Sequence, residues 1–232
     1  MSVRKTSLLI VLVALSTVTF SQNSTNGQNG NIITTAMSFL TIPADAKGAA
    51  MGDLGAATTP DANAAYWNPG KMVFNKNNAG AAISFTPWLR QLGITDMWIA
   101  YLSGYIKPKD DDQQAFGFHL NYFSLGDIQF TDELGKSNGV GKPKELSVGV
   151  TYSRKLSEKL GLGIGVNFLR SDLANGLASS GNNQNLKPAN TLAADLGLYY
   201  KNEIYLGGRV FDMSLGGVIS NLGGKVTYST DD

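Results

Sequence analysis

The 232-residue sequence contains no cysteine, a single histidine and almost no net charge. Without cysteine, the chain can be neither a disulfide-stapled domain nor a thiolate metal site. Its 19 basic and 18 acidic side chains give a formal net charge of +1, so no nucleic-acid partner is expected. No apolar run reaches the roughly 20 residues that a helix needs to cross a bilayer. Instead there are 27 glycines, nine tyrosines and ten phenylalanines, which favour β structure.

Residues 1–21 have the three parts of a secretory signal peptide. Arg4 and Lys5 supply a positive start, residues 8–15 form an unbroken apolar run, and residues 16–22 are small and polar. The apolar run is too short to be a stable membrane anchor. We therefore predict export and cleavage near residue 21, the alternative being a buried N-terminal helix.

After residue 78, apolar residues recur with a period of two, which is typical of β-strands. Residues 113–125 place Phe116, Phe118, Leu120 and Tyr122 on one face. Residues 160–170 place Leu162, Ile164 and Val166 opposite Gly161, Gly163 and Gly165. About eight strands are predicted in this way: 79–85, 96–106, 113–125, 145–156, 160–170, 192–200, 209–220 and 225–230.

The second face of these strands distinguishes a membrane barrel from a soluble β-sandwich, the competing interpretation. A sandwich would expose Lys, Glu, Arg and Thr to water, whereas these faces carry Gly, Ala, Ser and Asn, which suit a crowded lumen. Short turns at 157–159 and 201–203, against long polar connections at 132–144 and 172–188, also fit an outer-membrane barrel. We predict an all-β transmembrane barrel, integral to the bacterial outer membrane and surrounded by its lipid. Aromatics end the apolar faces at Tyr105, Tyr122, Tyr152, Phe168 and Tyr200, and the predicted lumen-facing polar residues are His119, Asn121, Asn167 and Asp195.

Residues 48–65 are too glycine-rich for a good helix and alternate too poorly for a strand. A compact run of small residues can pack inside a barrel, so we predict that residues 22–78 form an N-terminal extension and hatch, and residues 79–232 a partial barrel. Pro69 fixes a turn and restricts the preceding residue to extended geometry. Trp67 is either a packing anchor or a group that stacks on a ligand. The predicted hatch residues are Gly48, Gly52, Gly55, Trp67, Asn68, Pro69 and Gly70.

Four segments carry a resemblance to a known family. TTAMSFLTIPADAKGAAMGDLGAATTPDANAAYWNPG (34–70), ISFTPWLRQL (83–92), IAYLSGY (99–105) and LNYFSLGDIQFTD (120–132) resemble the PorV family, outer-membrane barrels of the type nine secretion system in Bacteroidetes. That family is related to FadL-type fatty-acid channels. The wider FadL-like group ends its hatch in Asn-Pro-Ala, whereas this chain has Asn68, Pro69 and Gly70.

The resemblance implies a barrel of about fourteen strands with an N-terminal hatch. It also implies a carrier that receives the C-terminal signal domain of secreted cargo proteins from the translocon and hands it to the cell-surface sortase complex. The alternative is a FadL-type channel for hydrophobic small molecules, for which Met37, Phe39, Leu40 and Ile42 are the candidate pocket residues. Because eight strands are too few for the family barrel and leave no room for a hatch, we expect a fragment that lacks about six C-terminal strands.

Catalytic interpretations have little support in the sequence. The GLGIG run at 161–165 places its glycines on one strand face with no helix after it, unlike a phosphate-binding loop. Asp110, Asp111 and Asp112 are expected to be a solvated loop rather than a calcium cluster. His119, Asp195 and a lumen serine could imitate an acyl-transfer triad, but no nucleophile signature accompanies them. We expect no enzyme activity and no cofactor.

Overall fold

The computed structural model describes residues 37–131, 134–173 and 188–224, together with Val226 and Tyr228. All of them belong to the compact unit Ala36–Asp232. The predicted signal peptide, the start of the predicted extension and most of the weak strand at 225–230 lie outside the described residues. No described helix is long and apolar enough to cross a membrane.

The described residues contain nine strands, seven of which form one antiparallel sheet that curves into half a barrel. The sheet order is β1-β2-β3-β6-β7-β8-β9, so each strand of this sheet pairs with the next strand of the same sheet along the chain. Strands β4 and β5 form a separate hairpin between β3 and β6. The predicted all-β barrel class is confirmed. The strands are β1 Ala79–Pro87, β2 Trp98–Ile106, β3 Gln114–Ser124, β4 Ile128–Thr131, β5 Ser137–Gly141, β6 Lys144–Lys155, β7 Leu160–Asp172, β8 Ala189–Leu206 and β9 Arg209–Gly223.

The apolar residues of the period-two pattern face outward. Phe118, Val150 and Val166 lie side by side on β3, β6 and β7 and are 46%, 63% and 51% exposed. Residues of the opposite parity, such as Asn121 at 1% exposed, are buried on the inner face. Because side chains alternate along a strand, one apolar and one small or polar face follow directly from the sequence.

Aromatic rows lie near both ends of the outer face. At one end, the rings of Phe85 and Trp98 are 5.6 Å apart and those of Trp98 and Tyr122 are 5.2 Å apart, which joins β1, β2 and β3. Towards the other end, Phe116 and Tyr152 are 5.3 Å apart across β3 and β6. Cross-strand ring pairs of this kind stabilise a sheet and fix its register.

One predicted connection contains a strand that was not predicted, and another is wrong. The long polar connection predicted at 132–144 does lie between the sheet strands β3 and β6, but β5 occupies Ser137–Gly141 within it and pairs with β4. A turn was expected at 201–203, but β8 continues to Leu206 and turns at Gly207 and Gly208, whose φ angles are 59° and 78°. A two-residue hairpin turn needs such positive φ values, which glycine adopts without strain, whereas polar residues such as Lys201 tolerate a strand. The predicted long loop at 172–188 falls mostly outside the described residues.

Residues 37–78, which we call the inner segment, pack against the inner face of the sheet. Its regular elements are short: a 3-10 turn at Ser38–Thr41, helix α1 at Ala46–Ala50, helix α2 at Ala64–Trp67 and a 3-10 helix at Pro69–Phe74. A further 3-10 turn, Arg90–Leu92, lies between β1 and β2. Two apolar clusters join the inner segment to the sheet. One contains Ala64, Ala65, Met72, Val73, Phe74, Tyr105, Ala115 and Tyr199, and the other Met37, Phe39, Ile99, Phe123, Leu169 and Ala193.

Candidate functional site: the inner segment and its seat

Asn68, Pro69 and Gly70 sit directly on the backbones of β7 and β8. A Cβ atom added at Gly163 would lie closer than 3.0 Å to Pro69 and Gly70, and one at Gly197 would lie as close to Asn68 and Pro69. A Cβ atom at Gly70 would in turn meet the carbonyl of Gly197. The glycines on the inner face of these strands therefore form a seat into which the three residues fit, and we call this contact the glycine seat.

Asn68 is fully buried and joins three parts of the chain. Its Nδ2 donates hydrogen bonds to the carbonyls of Ala56 (2.8 Å) and Leu198 (3.0 Å), and its Oδ1 accepts one from the amide of Gly70 (2.9 Å). The backbone of Asn68 is extended, at φ −161° and ψ 102°, as expected for a residue that precedes proline. Asn68 thus caps the 3-10 helix and ties it to β8.

Trp67 is a packing anchor at the centre of the inner segment. Its indole lies against Gly48 and Gly55, at each of which an added Cβ atom would overlap the ring. Its Nε1 donates a hydrogen bond to the Asp45 carboxylate, and its ring meets that of Tyr66 edge to face at 5.1 Å. These contacts occupy two sides of the indole with the protein's own groups.

Gly52 has a different role from its two neighbouring glycines. Apart from its two chain neighbours, no described residue has a heavy atom within 4 Å of a Cβ atom placed there, but φ is 74°, in the left-handed region. Gly52 follows the end of α1, where a glycine allows the chain to reverse. Its conformation, rather than lack of space, is what would penalise a side chain at this position.

Lys71 is a fully buried lysine that nothing in the sequence pattern pointed to. Its Nζ donates hydrogen bonds to the Gly55 carbonyl (2.6 Å) and to the Thr58 hydroxyl (2.9 Å). Burial lowers the pKa of Lys71 to about 8, because desolvation disfavours the charged form more than the nearby Asp61 carboxylate favours it. The ammonium group holds the loop at residues 55–58 against the 3-10 helix.

Further hydrogen bonds fasten the inner segment to the sheet. The Ser214 hydroxyl donates to the Ala57 carbonyl (2.6 Å), and the Ser103 hydroxyl donates to the Asn63 side chain (3.0 Å). The amide of Val73 donates to the Ser153 hydroxyl (3.3 Å). The inner segment is therefore held at β2, β6 and β9 as well as at the glycine seat.

The four polar residues predicted to face the lumen all lie on the inner face. His119, Asn121, Asn167 and Asp195 line a cavity of about 280 Å³ between the sheet and the inner segment. Asp195 accepts hydrogen bonds from Asn167 Nδ2 (2.6 Å) and from the amide of Asn221 (2.7 Å). Both carboxylate oxygens are thus bonded to groups other than His119, an arrangement that differs from an acyl-transfer triad.

A larger cavity, of about 1040 Å³, lies at the end of the sheet that carries the turn after β6. Seven charged side chains line it together with the rings of Phe74, Tyr105, Tyr199 and Tyr205. This cavity is therefore polar, with both positive and negative side chains in its wall. The charged residues are Asp61, Lys76, Glu158, Lys159, Lys201, Glu203 and Asp212.

The acidic run at residues 110–112 forms separate contacts rather than one cluster. Asp111 accepts hydrogen bonds from the Gln114 side chain and the Gln113 amide, which hold the pKa of its carboxyl below the usual value. Asp112 pairs with Lys155 at 2.6 Å, and that contact likewise lowers the pKa of its carboxyl. Two of the three carboxylates are therefore engaged in local contacts.

The residues considered for a hydrophobic ligand are packed against the sheet. Met37 and Phe39 are 4% and 0% exposed, and their cluster is filled by Ile99, Phe123 and Leu169. Leu40 and Ile42 pack against the same cluster, and the Tyr66 hydroxyl donates to both of their carbonyls (3.1 and 2.9 Å). Met37, Phe39 and Ile42 are therefore structural packing, whereas Leu40 also lines the smaller cavity.

The sequence matches the family model described as type IX secretion system protein PorV over residues 24–232. No curated protein matches the sequence. The matched range includes the inner segment, its glycine seat and every described strand.

Proposed function

Since the chain belongs to the PorV family of type IX secretion system proteins, we propose that it is the carrier of that system in the outer membrane. In this role it receives the C-terminal signal domain of a secreted cargo protein from the translocon and delivers the cargo to the cell-surface sortase complex. It works by binding and transfer, without catalysing a reaction of its own.

The outer face of the sheet supports a position in the membrane. Strands β3, β6 and β7 span 11, 12 and 13 residues, whereas a tilted transmembrane strand needs about 9–11. Their outward side chains are apolar except near the strand ends, where Lys144, Arg154 and Arg170 lie. The rows containing Trp98 and Tyr152 lie towards opposite ends, where interfacial aromatics are enriched. A wall of this composition is stable in lipid and would be costly in water.

The glycine seat is the observation that favours a carrier over a channel for hydrophobic molecules. The three seated residues touch strand backbone without intervening side chains, and Asn68 is hydrogen-bonded to β8. Moving them would expose buried donors and acceptors, at about 1–3 kcal/mol for each unpaired group. Neither of the two cavities described above has the continuous apolar lining that an acyl chain needs.

A gene deletion tests the proposal against this alternative. The deletion strain, complemented with the wild-type gene or with an empty vector, is assayed for cargo on the cell surface and for uptake of radiolabelled oleate. We expect the empty-vector strain to lose surface cargo and to take up oleate at the wild-type rate. Normal cargo display together with slowed oleate uptake would favour the channel.

A second experiment tests whether the inner segment closes the barrel. The full-length protein and a variant lacking residues 30–78 are inserted into liposomes, and swelling in small solutes is measured. The wall strands pair with one another, so we expect the variant to insert and to be the leakier of the two. A variant that inserts and leaks no more than the parent would place the segment outside the lumen.

A further inference from the structure

The smaller cavity is lined by residues with buried polar atoms for which no described residue provides a hydrogen-bond partner. Its walls come from β3, β6, β7, β8 and β9 and from five residues of the inner segment, Leu40, Thr41, Asp53, Tyr66 and Trp67. The unpartnered atoms are His119 Nδ1, both amide atoms of Asn121, and Asn167 Oδ1. The three residues are 4%, 1% and 3% exposed, so bulk water does not cover these atoms.

Leaving such atoms without partners is costly. An unsatisfied buried donor or acceptor costs about 1–3 kcal/mol, and four of them meet here. Asn121 stands opposite Ser147 on β6 and Tyr101 on β2, so apolar residues at this place would have packed in the sheet without penalty. The positions of the atoms indicate a bound molecule that completes their hydrogen bonds.

The charges around the cavity narrow the class of ligand. Asp53 and Asp195 line it, and none of the described lining residues is lysine or arginine. A carboxylate or phosphate would meet like charge without a cationic partner, so an anionic ligand is disfavoured. The ligand must also both donate and accept, because Asn121 offers one amide nitrogen and one oxygen while Asn167 offers an oxygen.

We infer that this cavity binds one neutral polyhydroxylated molecule about the size of a single sugar ring. Each hydroxyl of such a molecule donates and accepts, so adjacent hydroxyls match the amide of Asn121 and the oxygen of Asn167. Leu40, Tyr66 and Trp67 in the cavity wall provide apolar surface for its C–H groups. The volume, about 280 Å³, is just below the usual range for small-molecule sites. The inference is independent of cargo delivery.

The test uses the full chain in lipid nanodiscs and ligand-observed saturation-transfer NMR. The probes are methyl glucoside, methyl galactoside, N-acetylglucosamine and inositol, with glucuronate as the anionic counterpart. Saturation transfer to at least one neutral probe is expected, with at least tenfold weaker binding of glucuronate. No transfer to any neutral probe, or equal binding of glucuronate, would overturn the inference and leave a cavity that holds only water.

Two matched variants separate a ligand contact from a structural role. Asn121→Leu removes both unpartnered amide atoms at similar volume, and Asn202→Leu makes the same change in the wall of the larger cavity. Binding should fall at least tenfold in the first variant and stay unchanged in the second. The thermal midpoint without probe should be unchanged or higher for Asn121→Leu, because an unpaired amide is removed. A lowered midpoint, or unchanged binding, would count against the site.

Discussion

Replacing Gly163 by alanine should loosen the inner segment, while the same change at Gly165 should not. The two glycines lie on the same face of β7, two residues apart. A Cβ atom at Gly163 would collide with the backbone of Pro69 and Gly70, which cannot rotate away. At Gly165 the nearest atom is Asp195 Oδ2 at 3.2 Å, which can shift by a few tenths of an ångström.

The cost at Gly163 follows from two contributions. Overpacking against backbone costs about 1–3 kcal/mol, and lifting Asn68 off β8 breaks its 3.0 Å hydrogen bond to Leu198, which is worth about 1 kcal/mol. The sum is about 2–4 kcal/mol. At Gly165, slight crowding opposes the better strand propensity of alanine, so the net change should stay within about 0.5 kcal/mol.

Hydrogen exchange measured by mass spectrometry on the protein in nanodiscs reports this difference. The amides of Gly70 and Lys71 are bonded to Asn68, so peptides that cover residues 68–75 follow the opening of the seat. At tenfold per 1.4 kcal/mol, Gly163→Ala should speed their exchange by about 30- to 700-fold. Equal exchange in the two variants, or no acceleration in Gly163→Ala, would refute the seat.

The remaining predictions concern the wall, the buried lysine and the helix end. Ile164→Arg should cost about 2–4 kcal/mol in bilayer folding titrations, since Ile164 faces outward near the middle of β7; a change below 0.5 kcal/mol would contradict that orientation. The pKa of Lys71 is about 8 in the folded protein and 10.5 in the unfolded chain, so between these pH values the unfolded state binds more protons. The free energy of unfolding, measured with urea, should therefore rise by up to about 3 kcal/mol from pH 8 to pH 10.5. Lys71→Met should lack this rise, and a pH profile identical to that of the parent would refute the burial. Gly52→Asn should lower the free energy of unfolding by less than about 1 kcal/mol, because asparagine tolerates a positive φ. Gly48→Asn should lower it by more than about 2 kcal/mol, because the new side chain would overlap the Trp67 ring. Equal urea midpoints of the two variants would contradict these roles.

The strands of the barrel wall can be predicted from the sequence, because the alternation of apolar and small residues lies within each strand. In residues 160–170, each residue's face is fixed by counting, so Ile164 points outward and Gly163 inward. The hairpin of β4 and β5 was missed because its strands are four and five residues long, too short for a period to stand out. The polar residues Lys201, Asn202 and Glu203 resemble a turn in sequence, but the turn after β8 lies at the two glycines that follow, Gly207 and Gly208.

The site is harder to derive because it depends on distant pairs. The glycines of β7 suggest space on the inner face, but only the fold shows that Asn68, Pro69 and Gly70 fill it. The burial of Lys71 cannot be predicted from the sequence, because its hydrogen-bond partners are a backbone carbonyl and a hydroxyl rather than an acidic residue at helical spacing. The alternating pattern likewise predicts that Asn121 faces inward, but it cannot predict that the amide of Asn121 is left without a hydrogen-bond partner.

The attachment of the inner segment also has a consequence for the order of folding. The bond from Asn68 to Leu198 spans 130 residues, and the one from Ser214 to Ala57 spans 157. Contacts between such distant residues close large loops and form late, after neighbouring strands have paired. The inner segment precedes the sheet strands in the chain but is secured after they have paired. Until then the inner face of the sheet stays open to water. We therefore expect chaperones to bind residues 37–78 early in folding, because the apolar side chains of this segment are buried last.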